Sequence, residues 1–92
     1  MIVSDDHNES RILRPNAVCQ WQPETNEIVS LIPLHGDVEG VRTQGLRWPL
    51  QDELLRLGET RGVSNEPVAP EVSVSIRRGL LLVTRYFPTD GL

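Results

Sequence analysis

The sequence predicts an all-β protein: one domain over residues 1–92, built as an antiparallel β-sandwich of short strands, jelly-roll-like. Three observations predict it. Short alternating or apolar runs recur between turn signals spaced roughly eight to twelve residues apart. Helical periodicity is almost absent. A parallel sheet would need crossover helices, and the chain has no room for them.

The elements follow in order. Met1 to Val3 is a short apolar run stopped by the turn formers of Ser4-Asp5-Asp6-His7-Asn8. Ser10 to Arg14 returns as a second strand, ended by Pro15-Asn16, so the two read as a hairpin. A strand that begins abruptly at Met1 reads as part of a longer protein. Ala17 to Gln22 alternates and should turn Cys19 and Trp21 inward. After the loop Pro23–Glu27, residues Ile28 to Leu34 are nearly continuous in apolar side chains, as a buried strand is. Pro33 puts the end of that strand at a sheet edge or a bulge.

Val38 to Thr43 alternates again, and Gly40 inside it signals a bulge or a close backbone approach. Asp52 to Leu57 fits one helical turn as well as a bent strand. Pro67 to Pro70 is a proline-bounded turn. Glu71 to Ile76 has the clearest period of two, with Val72, Val74 and Ile76 inward. Arg77-Arg78-Gly79 reads as the tight turn of a hairpin whose second strand is Leu80 to Thr84, apolar on both faces. Tyr86 and Phe87 are expected to complete the core.

Composition narrows the function. Hydrophobic residues make up 38% of the chain and charged residues 24%, so it should fold. The net charge is −4 and the nine basic residues, all arginine, are dispersed, which argues against nucleic acid as a partner. One cysteine permits no internal disulfide and suits a reducing, cytoplasmic setting. No apolar run approaches a membrane span of about 18 residues.

Catalytic signatures are missing. There is neither a phosphate-binding P-loop nor a Gly-x-Gly-x-x-Gly fingerprint, and there is no lysine. His7, His35 and Cys19 lack a zinc-ligand spacing. The acid pairs Asp5-Asp6, Asp37-x-Glu39 and Asp52-Glu53 read as solvated loop residues. No catalytic residue and no metal ligand is assigned.

The ordered set Ser30-Leu31-Ile32-Pro33-Leu34, Gly40-Val41-Arg42-Thr43-x-Gly45-Leu46-x-Trp48-Pro49-Leu50, Leu57-Gly58, Thr60-Arg61-Gly62-Val63-Ser64-Asn65-Glu66 and Gly79-Leu80-Leu81-Leu82-Val83 resembles the C-terminal domain of thiamine pyrophosphokinase. The resemblance implies a parent enzyme that transfers pyrophosphate from ATP to thiamine with Mg²⁺, giving thiamine diphosphate and AMP. It implies a homodimer with thiamine bound at the interface. It also implies an N-terminal catalytic α/β domain, carrying the metal ligands and the ATP site, that these 92 residues do not include. No cofactor is expected in this domain alone, which should be inactive by itself.

By the same resemblance, Gly45, Leu46, Trp48, Ser64 and Asn65 are the thiamine-binding residues. Trp48 would stack on the vitamin, whose thiazolium is cationic and whose pyrimidine is flat. Asn65 could donate to and accept from an aminopyrimidine edge. Trp21, outside the matched segments, is expected in the core. Arg42, Arg47 and Arg61 read as solvated surface. The alternative is a free-standing, non-catalytic β-sandwich binding or scaffold module that kept the fold but lost the enzyme.

Overall fold

A computed structural model describes residues 2–4, 8–59 and 62–87. Every regular element among them is a strand: β1 (Ile2–Ser4), β2 (Asn8–Leu13), β3 (Val18–Trp21), β4 (Ile28–Pro33), β5 (Val38–Gln44), β6 (Glu53–Leu55), β7 (Val72–Ser75) and β8 (Leu81–Tyr86). They form two four-stranded sheets, ordered β1-β2-β8-β4 and β3-β7-β5-β6. All named pairs are antiparallel.

The free edge of β4 is taken by a short segment, through a bridge between Val29 and Asn65. With β1 set aside, the order β2-β8-β4-(62–65) therefore faces β3-β7-β5-β6. That is the double-sheet arrangement of a jelly roll, and the sandwich expected from sequence is present.

Alternation explains the two inner faces. On the first sheet, registered rows bring Leu13, Leu81 and Pro33 together, and one pleat repeat along bring Arg11, Val83 and Leu31 together. On the second, Cys19, Val74 and Thr43 form an inner row. Leu31, Leu55, Leu81, Val38, Val41, Val72 and Val74 are almost completely buried. Burying one such side chain is worth about 1.5–3 kcal/mol, so these faces hold the sandwich together.

Gly40 does what its place in a strand suggested. The β5–β6 register shifts between Val38 and Val41, and Gly40 has φ +67°. The bulge resets the alternation, so Val38, Val41 and Thr43 all face inward, although a regular strand would put Val38 and Val41 on opposite faces. Of the segment Asp52 to Leu57, residues Glu53–Leu55 form the short strand β6, and none of it is helical.

Two readings are corrected. β7 and β8 are not a hairpin, because they lie in different sheets. Residues 77–80 carry the chain across the sandwich; Arg77 and Arg78 donate to the Glu39 carbonyl, and Leu34 donates to that of Leu80. Tyr86 points outward and is 44% exposed, because β8 turns Leu81, Val83 and Arg85 inward and Leu82, Thr84 and Tyr86 out.

One end of the interior is charged. Glu27 closes the Pro23–Glu27 loop with its side chain fully buried. Its carboxylate accepts from Arg85 Nε at 3.0 Å and Nη2 at 2.8 Å, from Trp21 Nε1 at 2.7 Å and from the Glu24 amide at 3.0 Å. The Arg85 guanidinium also lies 5.2 Å from the Trp21 ring and 4.9 Å from the Phe87 ring, and it reaches Glu9 at 3.3 Å. Burial works against the charge on Arg85, but the bonds and charges of Glu27 and Glu9 outweigh it and hold its pKa above the ordinary value. Trp21 is thus half-buried and packs at the margin of the core, as expected.

Candidate functional site

The predicted site residues come from two chain segments that the fold lays side by side. Gly45 ends β5 at φ +85°, where a Cβ would run into the Glu71 carbonyl. From there the chain runs antiparallel to residues 65–68. The Gly45 carbonyl accepts from the Val68 amide at 2.8 Å, Leu46 bridges Pro67, and the Arg47 amide donates to the Glu66 carbonyl at 2.8 Å. On the far side of the loop, Thr43 and Leu50 close a ring: the Thr43 amide donates to the Leu50 carbonyl, and the Leu50 amide to Thr43 Oγ1, both at 2.9 Å.

Asn65 ties the two sheets together. Its backbone exchanges hydrogen bonds with Val29 of β4, at 2.8 and 2.7 Å. Its carboxamide turns the other way, toward the loop from β5. Oδ1 accepts from the amides of Trp48 at 3.1 Å and Glu66 at 2.9 Å, and Nδ2 donates to the Trp48 carbonyl at 2.8 Å. Asn65 is 3% exposed. Gly62 sits close against β4, its carbonyl accepting from the Leu31 amide at 2.8 Å. Ser64, at φ +61°, is exposed and donates its amide to Ser30 Oγ at 3.0 Å.

The result is a fixed backbone carrying an exposed ring. Trp48 is 54% exposed although its amide and carbonyl are both held by Asn65. The Arg47 guanidinium lies 5.3 Å from the ring centroid and pairs with Glu66 at 3.4 Å. Such an indole face can accept a flat or cationic ligand.

The structure thus brings Gly45, Leu46, Trp48, Ser64 and Asn65 into one neighbourhood, with different surroundings for each. Trp48 and Ser64 face solvent, Leu46 is 3% exposed and packs in the core, and Gly45 shapes the turn. Arg61 lies outside the described residues. Among the described residues no group of three or more His, Cys, Asp or Glu converges as a metal site, and no helix is long and apolar enough to cross a membrane.

Residues 17–81 match the sequence model of a family described as thiamin pyrophosphokinase, vitamin B1 binding domain. The match covers well over half of the chain. The chain belongs to this family. The vitamin B1 binding domain so defined contains all five predicted site residues. A thiamine pyrophosphokinase of Bacillus subtilis is 26% identical over 81 residues, which are 88% of this chain and 38% of that protein. The crystal structure of thiamine pyrophosphokinase from B. subtilis superposes with a TM-score of 0.87 at 24% identity, over 96% of this chain and 42% of that one. That of thiamin pyrophosphokinase from Geobacillus thermodenitrificans gives 0.84 at 23%, over 99% and 42%. These likenesses establish the shared sandwich, and the chain spans about two fifths of the relatives' length.

Sequence reasoning missed the Glu27–Arg85 pair. A signal existed for Arg85: strand alternation put it on the face of Leu81 and Val83, and a charge there requires a partner. Glu27, in a polar loop, carried none.

Proposed function

We propose that this chain is the thiamine-binding and dimerising part of a thiamine pyrophosphokinase, an enzyme that transfers pyrophosphate from ATP to thiamine and yields thiamine diphosphate and AMP. The observation that carries the reading is the exposed Trp48 ring on a clamped backbone inside the vitamin B1 binding domain. Thiamine stacks on Trp48 with the Ser64 hydroxyl beside it. Asn65 acts by holding the Trp48 backbone in place. The thiazolium and Arg47 are both cations, so the ligand takes the other face of the indole or displaces Arg47 toward Glu66. Mg²⁺ and ATP belong to the N-terminal catalytic α/β domain of the parent enzyme, and the catalytic residues with them. The parent works in the cytoplasm.

Dimerisation is proposed through the outward face of the first sheet. Ile12, Leu82 and Ile32 lie there in register across β2, β8 and β4, and Ile32 is 39% exposed. A twofold partner would cover this row.

The deciding experiment is thiamine titration of the parent enzyme, read by tryptophan fluorescence and calorimetry. Saturable quenching that Trp48→Leu abolishes and Trp21→Phe retains is the expected result. Undiminished thiamine affinity in Trp48→Leu would remove the ring from the site.

A further inference from the structure

A concavity lies on the outward face of the sheet β3-β7-β5-β6. It has a volume of about 490 Å³, and none of the five predicted thiamine-site residues lines it. Pockets that hold small ligands span about 300–1,000 Å³.

Its floor is set by strand register. Val18 of β3 and Arg42 of β5 flank Ser75 of β7 as direct Cα partners. Side chains paired in this way start about 4.5–5.5 Å apart. The Arg42 guanidinium and the Ser75 hydroxyl therefore share one stretch of surface. The Arg42 side chain is exposed and, among the described residues, has no hydrogen-bond or ion-pair partner. A planar guanidinium with an open fork is suited to a carboxylate or phosphate.

The wall is built around the bulge. Gly40 bears no side chain, and a Cβ there would collide with the Arg77 Cβ and press on its guanidinium. The missing side chain lets Arg77 lie across the bulge and reach Asp52 Oδ1 at 2.6 Å. Asp52 thereby fixes Arg77 and offsets its charge, while the charge of Arg42 is left uncompensated. The lining is net positive in a chain whose net charge is −4. Val18, 64% exposed, adds an apolar flank beside the cationic groups.

We propose that this cavity binds a small oxyanion, the phosphate or carboxylate group of an organic ligand, with Arg42 as its principal partner and Ser75 as a second donor. The site is independent of Trp48 and of thiamine.

Inorganic phosphate and acetate are the probes, added separately to ¹⁵N-labelled full chain, with sodium chloride at matched ionic strength as the control. Saturable shifts of the Gly40, Arg42 and Ser75 amides with phosphate or acetate, absent with chloride, are expected. The stronger of the two anions identifies the ligand group. Arg42→Gln, at an exposed position, should keep the dispersed spectrum and weaken binding about tenfold or more, as losing one charge-assisted pair does. Ser75→Ala should weaken it less. Shifts that follow ionic strength alone, or that survive unchanged in Arg42→Gln, overturn the proposal. So does the absence of any saturable shift.

Discussion

Replacing Asn65 by alanine should damage stability and ligand binding together. The carboxamide makes three hydrogen bonds to backbone, two to Trp48 and one to Glu66, at 2.8–3.1 Å. Each is worth about 0.5–1.5 kcal/mol net, and water can reach part of an exposed loop, so the sum should be about 2–3 kcal/mol. For a domain of this size 1 kcal/mol moves the midpoint by about 4–8 °C, so the thermal midpoint should fall by roughly 10–20 °C. Released from its clamp, the Trp48 ring must be ordered again on binding. Thiamine affinity should then fall about tenfold, the equivalent of 1.4 kcal/mol. Asn65→Asp separates the contributions. Its carboxylate can still accept from the amides of Trp48 and Glu66 but leaves the Trp48 carbonyl without a donor. It should lie between wild type and alanine in midpoint. The assay is calorimetric unfolding alongside thiamine titration of the parent enzyme. An unchanged midpoint in Asn65→Ala would refute the clamp. A lowered midpoint with unaltered thiamine affinity, measured well below it, would separate the clamp from the site.

Further outcomes are expected. Glu27→Ala should cost about 3–5 kcal/mol, since it removes the buried partner of Arg85, whose side chain is 14% exposed, and leaves it only the partly exposed Glu9; Glu27→Gln should cost less, and denaturant unfolding measures both. Gly45→Ala should prevent folding or lower the midpoint steeply, because the new Cβ meets backbone of Glu71 at a positive φ, and circular dichroism reports this. Burial pushes the Cys19 thiol pKa up, only partly opposed by the Arg11 guanidinium. The folded state therefore favours the protonated thiol. That contribution is complete below the unfolded thiol pKa and is lost as pH rises through the folded one, so stability should decline on the alkaline side more in wild type than in Cys19→Ala. Native Cys19 should react with a disulfide reagent at the rate of unfolding, and rapid native labelling would contradict its burial. Leu82→Asp, on the outward face, should shift the sedimentation coefficient toward monomer if that face joins two copies.

Sequence by itself determined most of the strands and, where alternation is regular, their faces. A period of two puts Val72, Val74 and Ile76 on one side whatever they pack against, and Gly40 inside a strand marks a place where a side chain would not fit. Pro33 rightly put the end of its strand at an edge, since β4 is the last named strand of its sheet. Partner choice was another matter. Alternation shows that a strand has a buried face but not which strand lies beside it, so β7 and β8 read as a hairpin when they lie in opposite sheets. The site divided in the same way. Ser64 and Asn65 are neighbours with similar polar side chains. Only tertiary structure left Ser64 in solvent and turned Asn65 onto the backbone of Trp48, because the positive φ at Ser64 lets the next residue pair with the free edge of β4. The buried Glu27–Arg85 pair was decided there too. A loop carboxylate becomes an interior one only when the two sheets close around it, β8 of the first supplying a guanidinium and β3 of the second an indole N–H.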